Sequence, residues 1–171
     1  MEHTDDPLNK AAISEISLRP EAPGDEAFLF EVYAGTREAE LNLTGWDAAT
    51  RRAFLDMQFK AMRQGYRGMY PGAQFAIIVA GEQPVGRLVV NRQDTSVHVV
   101  DIALLPAFCG RGIGTAVMRK LQGEAGEAGK KVRLRARRDP RTLRFYQRLG
   151  FAIVAEAGLD FELEWPPLTQ P

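Results

Sequence analysis

The segment CGRGIG, residues 109–114, holds the residues of this sequence whose types and spacing are most suited to chemistry. It follows an apolar run, VVDIALLP, and precedes a helical pattern, TAVMRKLQGEA. A strand, a glycine loop and a helix in that order aim successive backbone N–H groups at one point, where the helix N-terminus also favours an anion. Glycine has no Cβ to keep the anion away from those groups. The segment therefore predicts a phosphate-binding loop, with an ordinary tight turn as the alternative.

Two well-known phosphate-binding loops differ from this segment. A P-loop, G-x-x-x-x-G-K-[ST], is excluded because no such lysine and hydroxyl pair follows the glycines. The dinucleotide fingerprint, G-x-G-x-x-G, needs a glycine where this sequence has Thr115, and it normally lies on the first strand–helix turn of a domain. A nucleotide-dependent oxidoreductase is therefore an alternative that the spacing does not favour.

A second motif, LRFYQRLGF at residues 143–151, follows the helix-start signal Asp139-Pro140 and ends in Gly-Phe before a predicted strand. Together, ALLPAFCGRGIG and RFYQRLGF resemble the GNAT acyltransferase superfamily, whose members move an acyl group from acyl-CoA to an amine. Its members carry a [QR]-x-x-G-x-[GA] loop after the fourth strand and, further on, a helix that ends like Y-x-x-L-G-F. The chain departs from this pattern at Cys109, where Gln or Arg is usual, and at Asp139, where many members have Asn.

Hydrophobic periodicity predicts the element order β-α-α-β-β-β-α-β-α-β-β. The first helix is predicted to stop near Gly35, and Asp47 is predicted to cap the second. An apolar stripe on that second helix is predicted to pack in the core; it consists of Leu55, Phe59, Met62 and Tyr66.

The resemblance covers roughly Ile16 to Trp165, nearly the whole chain. It implies an α/β (α+β) GNAT fold in a single domain at residues 13–165, between flexible ends at 1–12 and 166–171. The expected sheet is mixed and mostly antiparallel, with about seven strands, and about four helices flank it. Strands 4 and 5 of this fold splay apart, which leaves a slot for the acyl thioester.

The resemblance implies acetyl-CoA as co-substrate, held in three places. The backbone before the loop contacts the pantetheine arm, the N–H groups of the loop hold the pyrophosphate, and the second motif borders the cofactor. The residues in these roles are Ile102, Ala103, Leu104 and Leu105; Cys109, Gly110, Arg111, Gly112, Ile113, Gly114 and Thr115; and Asp139 and Tyr146.

Tyr146 corresponds to the family's usual general acid, which protonates the leaving CoA thiolate. A phenol, with a pKa of about 10, keeps its proton at neutral pH and can give it to a forming thiolate. The alternative is that Tyr146 only packs against CoA or hydrogen-bonds to it.

The general base has two candidates on the predicted fourth strand. His98 is the favoured one because some family members resemble this arrangement and an imidazole titrates near pH 6.5. Strict alternation places it on the same face as Val100 and Ile102 and places Asp101, the second candidate, on the opposite face. A strand histidine is more often structural, and a water relay could replace a dedicated base.

A basic stretch at residues 130–148 contains nine Lys or Arg side chains. It could select an acidic substrate or contact the CoA 3′-phosphate. The favoured interpretation is a solvated face on which Arg133, Arg135 and Arg137 are balanced by acids of the last strand, namely Asp160, Glu162 and Glu164. The segment 36–46 is expected to border the pocket of the acceptor amine, with Glu40, Asn42 and Trp46 as the residues it offers.

The composition is typical of a cytoplasmic protein. Lys+Arg and Asp+Glu are both 22, which gives no support for nucleic acid or an anionic membrane as partner. One cysteine and two histidines make a metal site unexpected. The resemblance to the GNAT superfamily implies an N-acyltransferase that moves an acetyl group from acetyl-CoA to a primary amine of a small molecule or a protein by direct transfer. The alternative is a catalytically silent GNAT-fold module that senses acyl-CoA. The family also suggests a homodimer.

Overall fold

The structure, a computed structural model, describes residues 15–166. The predicted flexible N-terminus at 1–12 lies outside this range, as does all of the predicted C-terminal tail except Pro166. The strands are β1 (Ile16–Pro20), β2 (Gln74–Ala80), β3 (Gln83–Arg92), β4 (Ser96–Leu104), β5 (Lys131–Arg137), β6 (Ala152–Ala157) and β7 (Asp160–Trp165). The α-helices are α1 (Glu26–Asn42), α2 (Ala48–Met69), α3 (Ile113–Glu127) and α4 (Pro140–Arg148), and short 3-10 turns lie at Pro23–Asp25 and Pro106–Phe108.

The strands form one seven-stranded sheet in the order β1-β2-β3-β4-β5-β7-β6. Neighbouring strands are antiparallel except β4 and β5, which are parallel. Helices cover both faces of the sheet, as two successive residues of β2 show, because neighbouring side chains of a strand point to opposite faces. Ile78 packs with Met118 of α3, whereas Ile77 packs with Leu29 of α1 and Phe59 of α2. The predicted α/β fold and its mixed, mostly antiparallel sheet are therefore confirmed.

The pairing of β4 with β5 covers only part of each strand. It runs from Ser96–Val99 on β4 to Lys131–Leu134 on β5. Beyond it, β4 continues to Leu104 while still paired with β3, and β5 continues to Arg137 while still paired with β7. The two strands therefore separate. We call the gap between residues 100–104 and residues 135–137 the slot.

A bulge in β4 changes which of its side chains share a face. Val89 of β3 pairs with Asp101 and Val90 with Val99, so Val100 is an extra residue. Val97 and Val99 point into the core that contains α3 before the bulge, and Ile102 and Leu104 do so after it. His98 therefore shares a face with Asp101. The prediction that these two residues lie on opposite faces is wrong, because alternation does not survive an extra residue.

The first helix is longer than predicted. It runs to Asn42, and Gly35 lies inside it rather than at its end. A Cβ on Gly35 would lie 2.7 Å from Cδ of Pro106, so glycine at this position allows close contact between α1 and the Pro106 turn. Close packing, and not helix termination, is the reason for this glycine.

The stripe on α2 packs largely as expected. Leu55 and Phe59 are buried, and Met62 packs against their cluster. Asp47 caps the helix by accepting a hydrogen bond from the backbone of Thr50 at 2.7 Å. Within residues 15–166, no helix combines the length and apolar character that crossing a membrane requires.

Candidate active site

The glycine loop places backbone donors at one end of the slot. Gly110 and Gly112 have φ angles of 73° and 83°, which favour glycine because a Cβ is strained there. The first hydrogen bond within α3 runs from the Ala116 N–H to the Gly112 carbonyl at 3.0 Å. Residues 113–115 form the first turn, whose N–H groups have no partner inside a helix, and no side chain caps it. The loop thus keeps donors for an anion.

Cys109 contributes less to this set of donors than expected. Its N–H donates to the Pro106 carbonyl at 3.2 Å, and its exposed Sγ lies 3.6 Å from the Leu105 carbonyl. The N–H groups of Gly110 and Gly112, by contrast, have no hydrogen-bond acceptor among the described residues. The donors that the loop offers therefore begin at Gly110.

The β4 edge of the slot offers backbone groups as well. Residues Ile102 to Leu104 pair with β3 on one side only, and Leu105 donates its N–H to the Val85 carbonyl at 2.8 Å. The side that faces β5 has no strand partner beyond Val99. An extended chain with amide groups, such as pantetheine, fits an unpaired strand edge of this kind.

Tyr146 lies beside the first turn of α3. It is 8% exposed, and its ring contacts those of Phe145 and Phe151 at centroid distances of 5.0 and 5.6 Å. The Phe145 ring is 3.5 Å from where a Cβ on Gly114 would stand, so α4 packs directly on the loop helix. Burial, with a smaller contribution from the charge of Asp101, raises the pKa of Tyr146 to about 12. The phenol is therefore protonated at neutral pH.

Asp139 serves as the cap of α4. Its Oδ2 accepts hydrogen bonds from the N–H and the hydroxyl of Thr142, both at 2.8 Å. The pKa of Asp139 is held below its usual value, and the largest cause is the hydrogen bond from the Thr142 N–H. Its predicted part in cofactor binding stays a prediction, and the structure shows the capping role.

Asp101 has a buried partner that the sequence analysis missed. Its Oδ2 accepts a hydrogen bond from Nε of Arg87 at 2.6 Å, and Arg87 is only 7% exposed. The charge of Asp101 also acts on Tyr66, whose pKa rises to about 12, mainly through burial. One arginine in the apolar strand PVGRLVV and one aspartate in HVVDIAL are a signal that could have revealed the pair.

His98 lies away from the slot, where β4 and β5 are still paired. It is opposite Arg133, and its ring meets the Tyr70 ring edge-on at 5.3 Å. Burial, followed by the charges of Arg133 and Arg135, lowers the pKa of His98. The imidazole is therefore neutral at pH 7. The charge of Asp101 contributes, after burial, to the raised pKa of Tyr146, and His98 makes no such contribution.

Acids of β7 balance most of the basic face of β5, as predicted. The ion pairs are Lys131 with Glu164 at 3.0 Å, Arg135 with Glu162 at 2.7 Å and Arg137 with Asp160 at 3.8 Å. Arg133 is different. Its Nη2 donates to the amide Oε1 of Gln93 at 3.0 Å, and it makes no ion pair within residues 15–166.

The polar residues of segment 36–46 are held by neighbouring helices. Glu40 pairs with Arg37 at 3.1 Å, and Oδ1 of Asn42 accepts a hydrogen bond from Arg51 at 3.0 Å. Trp46 packs on Phe54 with ring centroids 5.2 Å apart. Their place beside the acceptor amine stays a prediction. In the described part of the chain, His, Cys, Asp and Glu side chains form no group of three that could hold a metal ion.

Comparison with known proteins identifies the family. Residues 71–153 match the family model described as the acetyltransferase (GNAT) domain. This part of the chain belongs to the GNAT acetyltransferase family. It contains the unpaired edge of β4, the glycine loop and Tyr146, which are the features that form the slot. No curated protein matches this chain significantly.

Solved structures share the GNAT fold at low sequence identity. PaiA N-acetyltransferase from Thermoplasma acidophilum, in complex with coenzyme A, is 17% identical, with a TM-score of 0.66 over 89% of this chain and 99% of its own. An acetyltransferase from Thermus thermophilus is 19% identical, with a TM-score of 0.63 over 88% and 96%. Ard1 from Thermoplasma volcanium is 21% identical, with a TM-score of 0.58 over 90% and 98%. At these identities the likeness concerns the fold.

Proposed function

We propose that this protein transfers an acetyl group from acetyl-CoA directly to a primary amine of a small molecule or a protein. The observation that carries the proposal is the juxtaposition of backbone donors at the loop, an unpaired edge of β4 and the buried phenol of Tyr146. The family match supports the reaction class. The single cysteine, which is exposed, supports a cytoplasmic setting.

The donors suit the chemistry of coenzyme A. Gly110, Gly112 and the first turn of α3 would hold the pyrophosphate through N–H groups and the positive end of the helix. The edge of β4 at Ile102–Leu104 would pair with the amides of pantetheine. Acetyl-CoA, when bound, supplies an activated thioester. Both sets of contacts use the backbone, so the family's Gln or Arg is not required at Cys109.

Tyr146 would assist the departure of the leaving group. The amine nitrogen forms a bond to the acetyl carbon and loses a proton, and the carbon–sulfur bond breaks with its electron pair on sulfur. The Tyr146 hydroxyl would donate a hydrogen bond to that sulfur, and the proton lost by the amine would return to it through the base and solvent, which gives the CoA thiol. A thiol has a reference pKa of about 8.5. With its own pKa at about 12, Tyr146 is the weaker acid, so it acts mainly as a hydrogen-bond donor while negative charge develops.

Asp101 and His98 are the two candidates for removing the amine proton. Asp101 lies at the slot, and its charge acts on Tyr146, which supports Asp101. Its ion pair with Arg87 at 2.6 Å holds the carboxylate in place at the slot. His98 lies on the same face but on the paired part of β4. We assign the role to Asp101, acting directly or through water.

A thiol-release assay tests the proposal. We expect the wild type to release CoA thiol from acetyl-CoA with at least one amine of a broad panel. We expect Tyr146→Phe to lower kcat by about 100-fold or more, with acetyl-CoA affinity by calorimetry almost unchanged. The matched control is Tyr33→Phe, since the Tyr33 hydroxyl bonds Gln58 in the core on the opposite face.

Two results would contradict the proposal. Failure to bind any CoA species would remove the cofactor assignment, and NAD(P) binding would then favour the oxidoreductase. Tight CoA binding without thiol release from any amine would favour the acyl-CoA sensor.

A further inference from the structure

A cleft of about 190 Å³ opens on the sheet face that carries Asp101. We call it the His98 cleft. It is lined by Tyr70 at the end of α2, by His98 on β4, and by β5, β6 and β7 residues that include Arg133, Arg135, Glu162 and Glu164. Two residues of β4, Val99 and Val100, separate His98 from Asp101, a distance of roughly 7–10 Å along the strand. The cleft therefore lies next to the slot, on the side away from α3.

Two arginines and two glutamates line the cleft, and Arg133, which lies opposite Glu164 on β7, is the one of the four that makes no ion pair with a described residue. Glu162 pairs with Arg135 and Glu164 with Lys131, each within 3.0 Å. Arg133 donates only to the neutral amide of Gln93. A guanidinium is always charged and presents a planar fork that matches a carboxylate. This side chain is therefore suited to an anion that enters the cleft.

A buried polar atom in the same cleft has no partner. Nδ1 of His98 is buried and makes no hydrogen bond to any described residue. A buried nitrogen without a partner is costly, so a rotation of the imidazole that brings Nδ1 to a ligand in the cleft is favoured. The neutral imidazole donates from Nδ1 in one of its two tautomers. His98 and Arg133 face each other across the β4–β5 pair and could bind the same oxygen-bearing group.

We propose that the His98 cleft binds the carboxylate of the acceptor, so that the preferred substrates are small amines that carry a carboxylate. The inference rests on the proposed function and names its substrate class. Arg133, which has no counterion among the described residues, matches one negative charge. Glu162 and Glu164 on the same face disfavour a dianion such as phosphate. The distance along β4 favours acceptors whose amine and carboxylate are several bonds apart.

Matched pairs of amines test the inference. The panel contains the ω-amino acids from glycine to 6-aminohexanoic acid and the common L-amino acids, each as the free acid and as its carboxamide. We expect the wild type to prefer the acid, measured as kcat/KM for thiol release and as binding to CoA-saturated protein. Arg133→Gln should raise KM for the acids roughly 10- to 100-fold and leave the amides and acetyl-CoA unchanged. Arg138→Gln is the control and should leave the preference intact, because Arg138 pairs with Glu156 at 2.8 Å and lines neither the cleft nor the slot.

The following outcomes overturn the inference: equal use of acid and amide, equal loss in Arg133→Gln and Arg138→Gln, and no binding of any acid to the CoA-saturated protein. Thiol release with amines that lack a carboxylate, such as spermidine or tyramine, would leave the proposed function standing in each case. Selective use of acidic peptides over the free acids would also overturn it, because it would assign the cleft to a macromolecular substrate. Failure of CoA binding or of all thiol release is the separate failure of the proposed function.

Discussion

The two sides of the slot present different kinds of chemical group to a ligand. On the loop side, the groups available to a ligand are backbone N–H groups at Gly110, Gly112 and the first turn of α3. On the opposite side, they are side chains, namely Asp101 in its ion pair with Arg87 at the slot and His98 beside Arg133 in the neighbouring His98 cleft. Backbone donors depend on local geometry, so one short motif recreates them in different sequences. Side chains from separate strands must be brought together by the whole fold, so each sequence can assemble a different set.

The largest effect is expected on the side-chain side, at Asp101. Asp101→Asn keeps the shape but removes the charge, and we expect kcat/KM for the amine to fall about 100-fold, with acetyl-CoA affinity unchanged. His98→Gln should cost much less in kcat. Thiol-release kinetics and calorimetry provide both values. A larger loss of kcat in His98→Gln than in Asp101→Asn would assign the base to His98 instead. Thermal unfolding of Asp101→Asn must be checked, since Arg87 loses its counterion.

A smaller effect is expected on the backbone side, at Gly112. Its φ of 83° is strained for any residue with a Cβ, and more so for a β-branched one. Gly112→Val should weaken acetyl-CoA binding roughly 10- to 100-fold by calorimetry, from a strain of about 1–3 kcal/mol. Gly81→Val is the control, because Gly81 has a similar φ of 63° in the turn between β2 and β3. Equal loss of CoA binding in both variants would show that strain, and not the loop, is responsible.

The smallest effect is expected at Cys109, because the backbone and not its side chain is available to the ligand. Cys109→Ala should change acetyl-CoA affinity less than about 2-fold. In the wild type, CoA should slow alkylation of the exposed thiol by iodoacetamide, since the ligand would cover the loop. Equal labelling rates with and without CoA would contradict the location of the pyrophosphate. A large loss of affinity in Cys109→Ala would show that a side chain contributes to the cradle after all.

The same difference explains what the sequence could and could not predict. The strand–loop–helix pattern at Cys109–Thr115 and the helix that ends at Gly150 are local signals, and they predicted the fold, the slot and the place of Tyr146. The bulge at Val100 has no signature in residue order, so the faces of His98 and Asp101 were predicted wrongly. Gly35 was interpreted as a helix end because its neighbour, Pro106, is distant in sequence. The partnership of Arg87 with Asp101 likewise depends on the register of two strands.

Hydrogen exchange of backbone amides, resolved by residue with and without saturating CoA, tests the central claim most directly. The account predicts that CoA slows exchange at Gly110, Gly112 and residues 113–115, because those N–H groups gain hydrogen-bond acceptors. It predicts little change at His98 and Arg133, whose proposed contacts are made by side chains and to the acceptor. Unchanged exchange across residues 110–115 in CoA-saturated protein would contradict the account.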